Sequence, residues 1–434
     1  MRRAAPVTRA TWPFKVGDAD IDNPHSIDAA NSIVKDWQVH MQATQVRTLP
    51  TPDADSAAHS AAVARHIRDK VNNAGGCISF AEYMHEVLYS PGLGYYSAGS
   101  AKFGAEGDFV TAPEISPVFG RVLARQCAQV LDATGGGSVL EFGAGSGKLA
   151  AEVLRKMAEI DALPDRYCIF EVSADLRDRQ ESFLNCEIPE FVDSVSWLNQ
   201  LPEQHKGVVI ANEVLDALPV ERFVRRSDHV AQLCVTVDHN EFVIVEREAP
   251  AVLASAVAAI ENGLGRSLAE GFVSEVCLAA TGWIGDLAEL LQEGVAFLFD
   301  YGVSQREYYA EDRSDGWLRC HFRHHAHNDA LILPGIQDIT AWVDFSAAAA
   351  AAHEHGLDVS GYVTQAHFLM NGGLADELAN FSDLPPAAQM TLSSQVKLLT
   401  LPGEMGESFK CLGLSRNLDI TPDSLASSDR AITL

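Results

Sequence analysis

At 434 residues the chain can bury a large core, and 47% apolar with 21% charged residues is the composition of a folded protein; no apolar run reaches the roughly 18 residues of a membrane helix. The net charge of −27 excludes a broad attraction to a phosphate backbone and favours cationic partners over nucleic acid. Eight scattered cysteines with no C-x-x-C pair exclude a disulfide framework and a zinc ribbon, and read as buried thiols of a reducing compartment.

Residues 1–60 read as a tail, expected to be disordered: polarity is mixed, prolines are scattered, and "TLPTPDADS" is linker-like. The opening "MRRAAPVTRATWPF" lacks the apolar stretch of a secretory signal. Its basic, acid-free character is shared by mitochondrial transit peptides and by chance stretches, and Met41 offers an alternative start. "SAAHSAAVARHIRDKV" opens a helical cap over 61–134, which holds the glycine- and aromatic-rich loop "LYSPGLGYYSAGSAKFGAEGDFVTAPEIS" and a helix around "FGRVLARQCAQVLDA". A loop of that length in a compact domain is a candidate lid.

From 135 to 415 strands alternate with helices. "SVLEFGAG", "RYCIFEVS", "DSVSWL", "KGVVIANEV" and "VAFLFDYG" are short apolar strands, with helices at "KLAAEVLRKMAEI" and "ADLRDRQESFL". This rhythm predicts an α/β fold with a parallel sheet covered on both faces. An insertion at about 220–280, "RFVRRSDHVAQLCVTVDHNEFVIVERE", alternates with period two as an antiparallel segment does. "DFSAAAAAAHEHG" is a late helix, "FKCLGLSRN" a last strand, and 416–434 a C-terminal tail.

Within "VLEFGAGSGKLA", Glu141, Gly143, Gly145 and Gly147 form a strand-to-helix turn that lets a ligand approach the backbone. The dinucleotide pattern G-x-G-x-x-G requires glycine at 148, and Lys148 stands there. An acid in the turn would repel a pyrophosphate but suits ammonium and sulfonium charges, both of which S-adenosyl-L-methionine carries. Glu171 closes the next strand where an acid commonly accepts from ribose hydroxyls. A purely structural tight turn stays open at this point, and Trp197 reads either as an adenine wall or as ordinary core.

"VVIANEVLDALPV" presents Asn212, Glu213 and Asp216 as a buried strand ends, where ligands of α/β sheets bind. If 213–217 turn helically, the two acids share a face and can hold a planar guanidinium; otherwise Asn212 caps a helix whose positive end favours acids. His321, His324, His325 and His327 lack metal-ligand spacing and have Arg319 and Arg323 beside them, so hydrogen bonding within a loop is the expectation and no metal is assigned.

"GDFVTAPEISPVFG", "LEFGAGSGKLA", "FEVSADLRDRQ", "ANEVLDALPV", "FDYG" and "PGIQDITAWVDF" resemble, in the same order, the motifs of the MidA-like methyltransferases, whose mitochondrial members are complex I assembly factors. The resemblance spans about residues 60–415. It implies a Rossmann-like class I methyltransferase sheet with an N-terminal helical cap and an insertion, and S-adenosyl-L-methionine as cofactor. For the mitochondrial members it implies dimethylation of an arginine in a complex I subunit. Position by position it puts cofactor contacts on Glu141, Gly143, Gly145, Gly147 and Glu171, and on Gly107, Asp108 and Thr111 of the G-D-F-x-T-A-P-E motif. Asn212, Glu213 and Asp216 of N-E-x-x-D-A-L-P become the catalytic group. A bacterial member would be cytoplasmic and a eukaryotic one would work in the mitochondrial matrix. One departure stands out: Trp317 in "SDGWLRC" replaces a small residue, which puts the adjoining loop and substrate entry in question. The rival readings are a cofactor-binding assembly factor without turnover and a small-molecule methyltransferase.

Overall fold

The structure, a computed structural model, describes residues 49–97 and 111–434. Val63, Ile67 and Val71 recur at helical spacing and bury one face of α1 (Ala54–Asn73), which Asp53 caps by accepting from Ser56 N at 2.8 Å. The helix thus begins inside the stretch expected to be tail. A two-residue strand, β1 (Ile78–Ser79), leads into α2 (Phe80–Tyr89), and Thr111 precedes the short α3 (Ala112–Ile115) and the long α4 (Pro117–Thr134).

The βα repeat follows as β2 (Ser138–Phe142), α5 (Lys148–Glu159), β3 (Tyr167–Phe170), α6 (Ala174–Glu187), β4 (Val195–Leu198) and β5 (His205–Asn212). An insertion contains β6 (Glu221–Arg225), β7 (Val230–Asp238), β8 (Glu241–Glu248), α7 (Ala251–Leu264) and β9 (Val273–Val276). Next come α8 (Leu278–Leu290), β10 (Leu291–Val303) and α9 (Gln305–Tyr308), then β11 (Leu318–Phe322), β12 (His325–His327), β13 (Asp338–Ala341) and β14 (Val343–Asp344). The chain closes through α10 (Phe345–Glu354), β15 (Asp358–Thr364), α11 (Gln365–Asn371) and β16 (Phe409–Arg416).

The main sheet runs β15-β16-β10-β5-β2-β3-β4, parallel from β10 to β4, with β16 antiparallel to both its neighbours. This is the class I methyltransferase sheet. Side chains alternate along each strand: Val208 and Ile210 enter one core with α4 and α5, while Val209 and Ala211 enter the other with α8 and α10. The helix α4, expected in the cap, therefore belongs to the sheet.

The insertion is antiparallel as expected. It forms a five-stranded sheet, β1-β7-β6-β9 with β8 beside β7, so β1 of the cap completes it. A further sheet, β12-β11-β13, had no signal in the sequence pattern. Val63, Tyr83 and Met84 of the cap share one core with Val235 of the insertion and Leu318 and Ile339 of the small sheet. Residues 416–434 are no free tail. Leu425 is 1% exposed, and it occupies the room left by Gly413, where a Cβ would lie 2.3 Å from its Cδ1.

Candidate active site

After Phe142 the chain turns through Gly143 (φ +62°), Gly145 (φ +54°) and Gly147 (φ +86°) before α5 begins at Lys148. These left-handed conformations cost other residues about 1–2 kcal/mol each. The turn borders a cleft of about 1070 Å³, partly open to solvent, whose wall includes Thr111, Glu141, Gly143, Gly145, Glu171, Asn212, Glu213 and Asp216. Among the described residues a Cβ on Gly143 would meet no atom nearer than Val214 Cγ2 at 3.9 Å, its chain neighbours aside, so bareness there keeps open the cleft and not a packing contact.

Glu141 lies inside β2 and not in the turn, 2% exposed, accepting the Tyr167 hydroxyl at 2.8 Å. Burial pushes its carboxyl up to about 7; Tyr167 pulls it down and nearby Glu171 pushes it further up. A desolvated acid on a cavity wall is a seat for a cation. Glu171 accepts from Ser173 N at 2.9 Å and from Gln180 Nε2 at 3.1 Å. The same Gln180 nitrogen donates to Gly145 O at 3.0 Å, and Trp197 Nε1 donates to Gln180 Oε1 at 3.0 Å. Trp197 is thus half-buried core that braces the site from behind; it is not on the cleft wall. Gly147 is also off the wall. Its Cβ would make only ordinary contact, 3.4 Å from Phe183 Cδ1, so its φ of +86° and not a lack of room calls for glycine there. Glu114 binds both the Ser146 hydroxyl and the Lys148 ammonium, clasping α3 to the glycine turn. Gly107 and Asp108 lie outside the described residues.

The helical turn expected after β5 is absent. Glu213 adopts φ +55°, a left-handed kink fixed by its N–H donating to Phe299 O at 2.8 Å, and Asn212 Nδ2 donates to its Oε1 at 3.2 Å. The organiser is Asp300 in β10, 1% exposed, which accepts from Leu215 N at 3.0 Å and Asp216 N at 3.1 Å. Asp216 is 4% exposed, and among the described residues its buried Oδ1 has no hydrogen-bond partner. Burial raises Asp216 to about 6, against the opposing pull of Tyr301 and the turn amides. Burial, then neighbouring acids, hold Glu213 and Asp300 well above the usual carboxylate range.

Sequence reasoning missed other wall residues, among them Asp338, Tyr89 and Tyr96. Asp338 opens β13 and accepts the Tyr96 hydroxyl at 2.9 Å; Tyr89 donates to Ala217 O at 2.8 Å and stacks on Tyr96 with centroids 5.5 Å apart. All three sit in motifs visible in the chain, but no spacing joins residues 89, 96 and 338 to 216. Trp317 is not on the cleft wall: it is 4% exposed, stacks on Trp342 with ring centroids 4.3 Å apart and donates to Tyr308 O at 2.7 Å. The histidine run forms the β11–β12 hairpin, turning through Arg323 (φ +48°) and His324 (φ +60°), with His325 Nδ1 2.7 Å from Arg323 O.

Residues 122–363 match the model of a family described as S-adenosyl-L-methionine-dependent methyltransferase. The chain is 30% identical over 387 residues to the mitochondrial protein arginine methyltransferase NDUFAF7 of Danio rerio, covering 82% of this chain and 87% of that protein. With the Homo sapiens protein of the same name it shares 30% over 382 residues, 81% of this chain and 82% of that one. A crystal structure from Burkholderia thailandensis, bound to S-adenosyl-homocysteine, superposes with a TM-score of 0.84 at 42% identity, covering 89% of this chain and all of that one. With this sheet order, this glycine turn and these matches, the chain belongs to the family of S-adenosyl-L-methionine-dependent methyltransferases and takes S-adenosyl-L-methionine as its cofactor.

Proposed function

We propose that this methyltransferase methylates an arginine side chain of a protein. The observation that carries the reading is the buried acidic recess beside the glycine turn, where Asp216 Oδ1 has no partner among the described residues and Glu213 and Asp300 crowd Asp216. So many desolvated carboxylates cannot all be ionised in the empty protein, and a cation can take the place of the protons. The relatives named protein arginine methyltransferase support the same acceptor.

The bound cofactor supplies an electrophilic methyl group on a positively charged sulfur. Gly143 and Gly145 give it close approach to the backbone, Glu141 pairs with its ammonium group, Glu171 accepts from its ribose, and Thr111 closes the wall. Glu213 and Asp216 orient the guanidinium, whose pKa above ~12 keeps it protonated in water, and accept the N–H proton as the N–C bond forms and the C–S bond breaks. Asn212 holds Glu213 in place. Positioning supplies most of the acceleration.

A complex I-type subunit is the proposed acceptor on the resemblance of the motifs. The relatives' names are mitochondrial, which favours that compartment for a eukaryotic chain and adds nothing to a cytoplasmic assignment. The test is incubation with radiolabelled S-adenosyl-L-methionine and a lysate of cells lacking this protein, then mapping of the labelled band. Label on an arginine supports the reading. Label on another side chain or on a small molecule overturns it.

A further inference from the structure

We propose that Asp338, oriented by Tyr96, is a third carboxylate of the acceptor recess and sets its preference for a guanidinium over an ammonium. This rests on the reading of the acceptor as arginine.

Asp338 comes from a different part of the fold than Glu213 and Asp216. Those two leave β5 on one turn, whereas Asp338 opens β13, beyond the whole insertion and the β11–β12 hairpin. Ala341 N donates to Asp216 O at 3.0 Å and so ties β13 to that turn. Asp338 is 2% exposed yet stands on the cleft wall, and its charge is felt by Glu213, Tyr89 and Tyr96 alike. The Tyr96 hydroxyl holds Oδ1 at 2.9 Å. The recess thus takes acids from two separate elements, with the stacked rings of Tyr89 and Tyr96 on its wall.

That arrangement suits a planar cation. A substituted guanidinium spreads five N–H donors in one plane, so carboxylates of a single turn reach one edge and leave the other without a charged partner. An ammonium gathers three donors at one point, and one turn suffices. Aromatic faces favour the flat cation further. Charge points the same way. Sulfonium and guanidinium bring two positive charges together, and Asp300 is committed to the amides of Leu215 and Asp216, so Glu213 and Asp216 would have to balance both cations and still take up a proton. A third carboxylate relieves them.

The test is calorimetric titration of the full chain, saturated with S-adenosyl-homocysteine, with N-ethylguanidinium and with n-butylammonium. The wild type should bind ethylguanidinium at least tenfold more tightly. Asp338→Asn should lose at least tenfold of that affinity while butylammonium changes less than threefold, with S-adenosyl-homocysteine affinity and Tm retained. Should Asp338→Asn lower Tm, Tyr96→Phe, which deletes only the hydroxyl that holds Asp338, should still show a selective loss of about threefold or more for ethylguanidinium. Wild-type ethylguanidinium affinity in a folded Asp338→Asn or in Tyr96→Phe, or equal losses for both cations, overturns the proposal. The arginine reading fails separately, through the residue that carries label in the lysate.

Discussion

Glu213 combines a left-handed backbone, a raised pKa and a place on the cleft wall in one residue. Strained residues persist where the surrounding structure over-determines them, and such sites are often functional. If Glu213 and Asp216 hold the acceptor, Glu213→Gln and Asp216→Asn remove the charge and keep the shape. Each lost charge-assisted hydrogen bond is worth about 1.5–3 kcal/mol, which corresponds to roughly a ten- to hundred-fold slower transfer. S-adenosyl-homocysteine affinity should stay within about threefold, as single-turnover kinetics beside calorimetry will show.

Glu141 makes a prediction about pH. Its folded value of about 7 lies above its ordinary 4.5, so between these pH values the folded protein holds a proton that the unfolded chain has released. Stability of the ligand-free protein therefore falls as pH rises through that window. Glu141→Gln removes the penalty. Its Tm should match the wild type near pH 5 and exceed it at pH 8, followed by differential scanning calorimetry. Pairing with the ligand's ammonium needs the ionised form, so wild-type affinity for S-adenosyl-homocysteine should rise between pH 5.5 and 7, at most about tenfold per unit, and that of Glu141→Gln should stay flat.

Between elements, Gln180 does the joining. This fully buried residue of α6 links Trp197 in β4, Glu171 after β3 and the glycine turn after β2. Gln180→Ala strands Trp197 Nε1 and Gly145 O without partners, and should lower stability by about 2–3 kcal/mol and weaken S-adenosyl-homocysteine about tenfold, measured by urea unfolding and calorimetry. The strands that Gln180 joins were legible because a buried strand followed by a polar or glycine-rich turn is a local pattern. The helix expected after β5 was misread for an equally physical reason: the N–H groups of Leu215 and Asp216, which in a local helix would donate to a capping residue such as Asn212, donate to Asp300, which lies 84 residues beyond Asp216. Propensity at 213–217 yielded to a partner outside any reading window.

For the whole molecule, the C-terminal stretch offers the plainest test. Leu425 packs over the paired Gly361 of β15 and Gly413 of β16, which have no side chain, and Ser424 N donates to Gln126 Oε1 of α4 at 3.0 Å. Leu425→Ala should destabilise by about 2–4 kcal/mol, read as a lowered urea midpoint, whereas a true tail would tolerate it. Hydrophobic period, glycine placement and the order of motifs are properties of neighbouring residues, and from them the α/β class, the glycine turn and the acids at 141, 171, 213 and 216 could be read directly. That β16 enters between β10 and β15, that Glu141 is desolvated, that residues 89, 96, 216 and 338 meet in one recess and that Asp300 holds the turn behind it depend on which strands pair and what covers them. A carboxylate's charge state is set by the water and charges around it, and only the folded chain decides which those are.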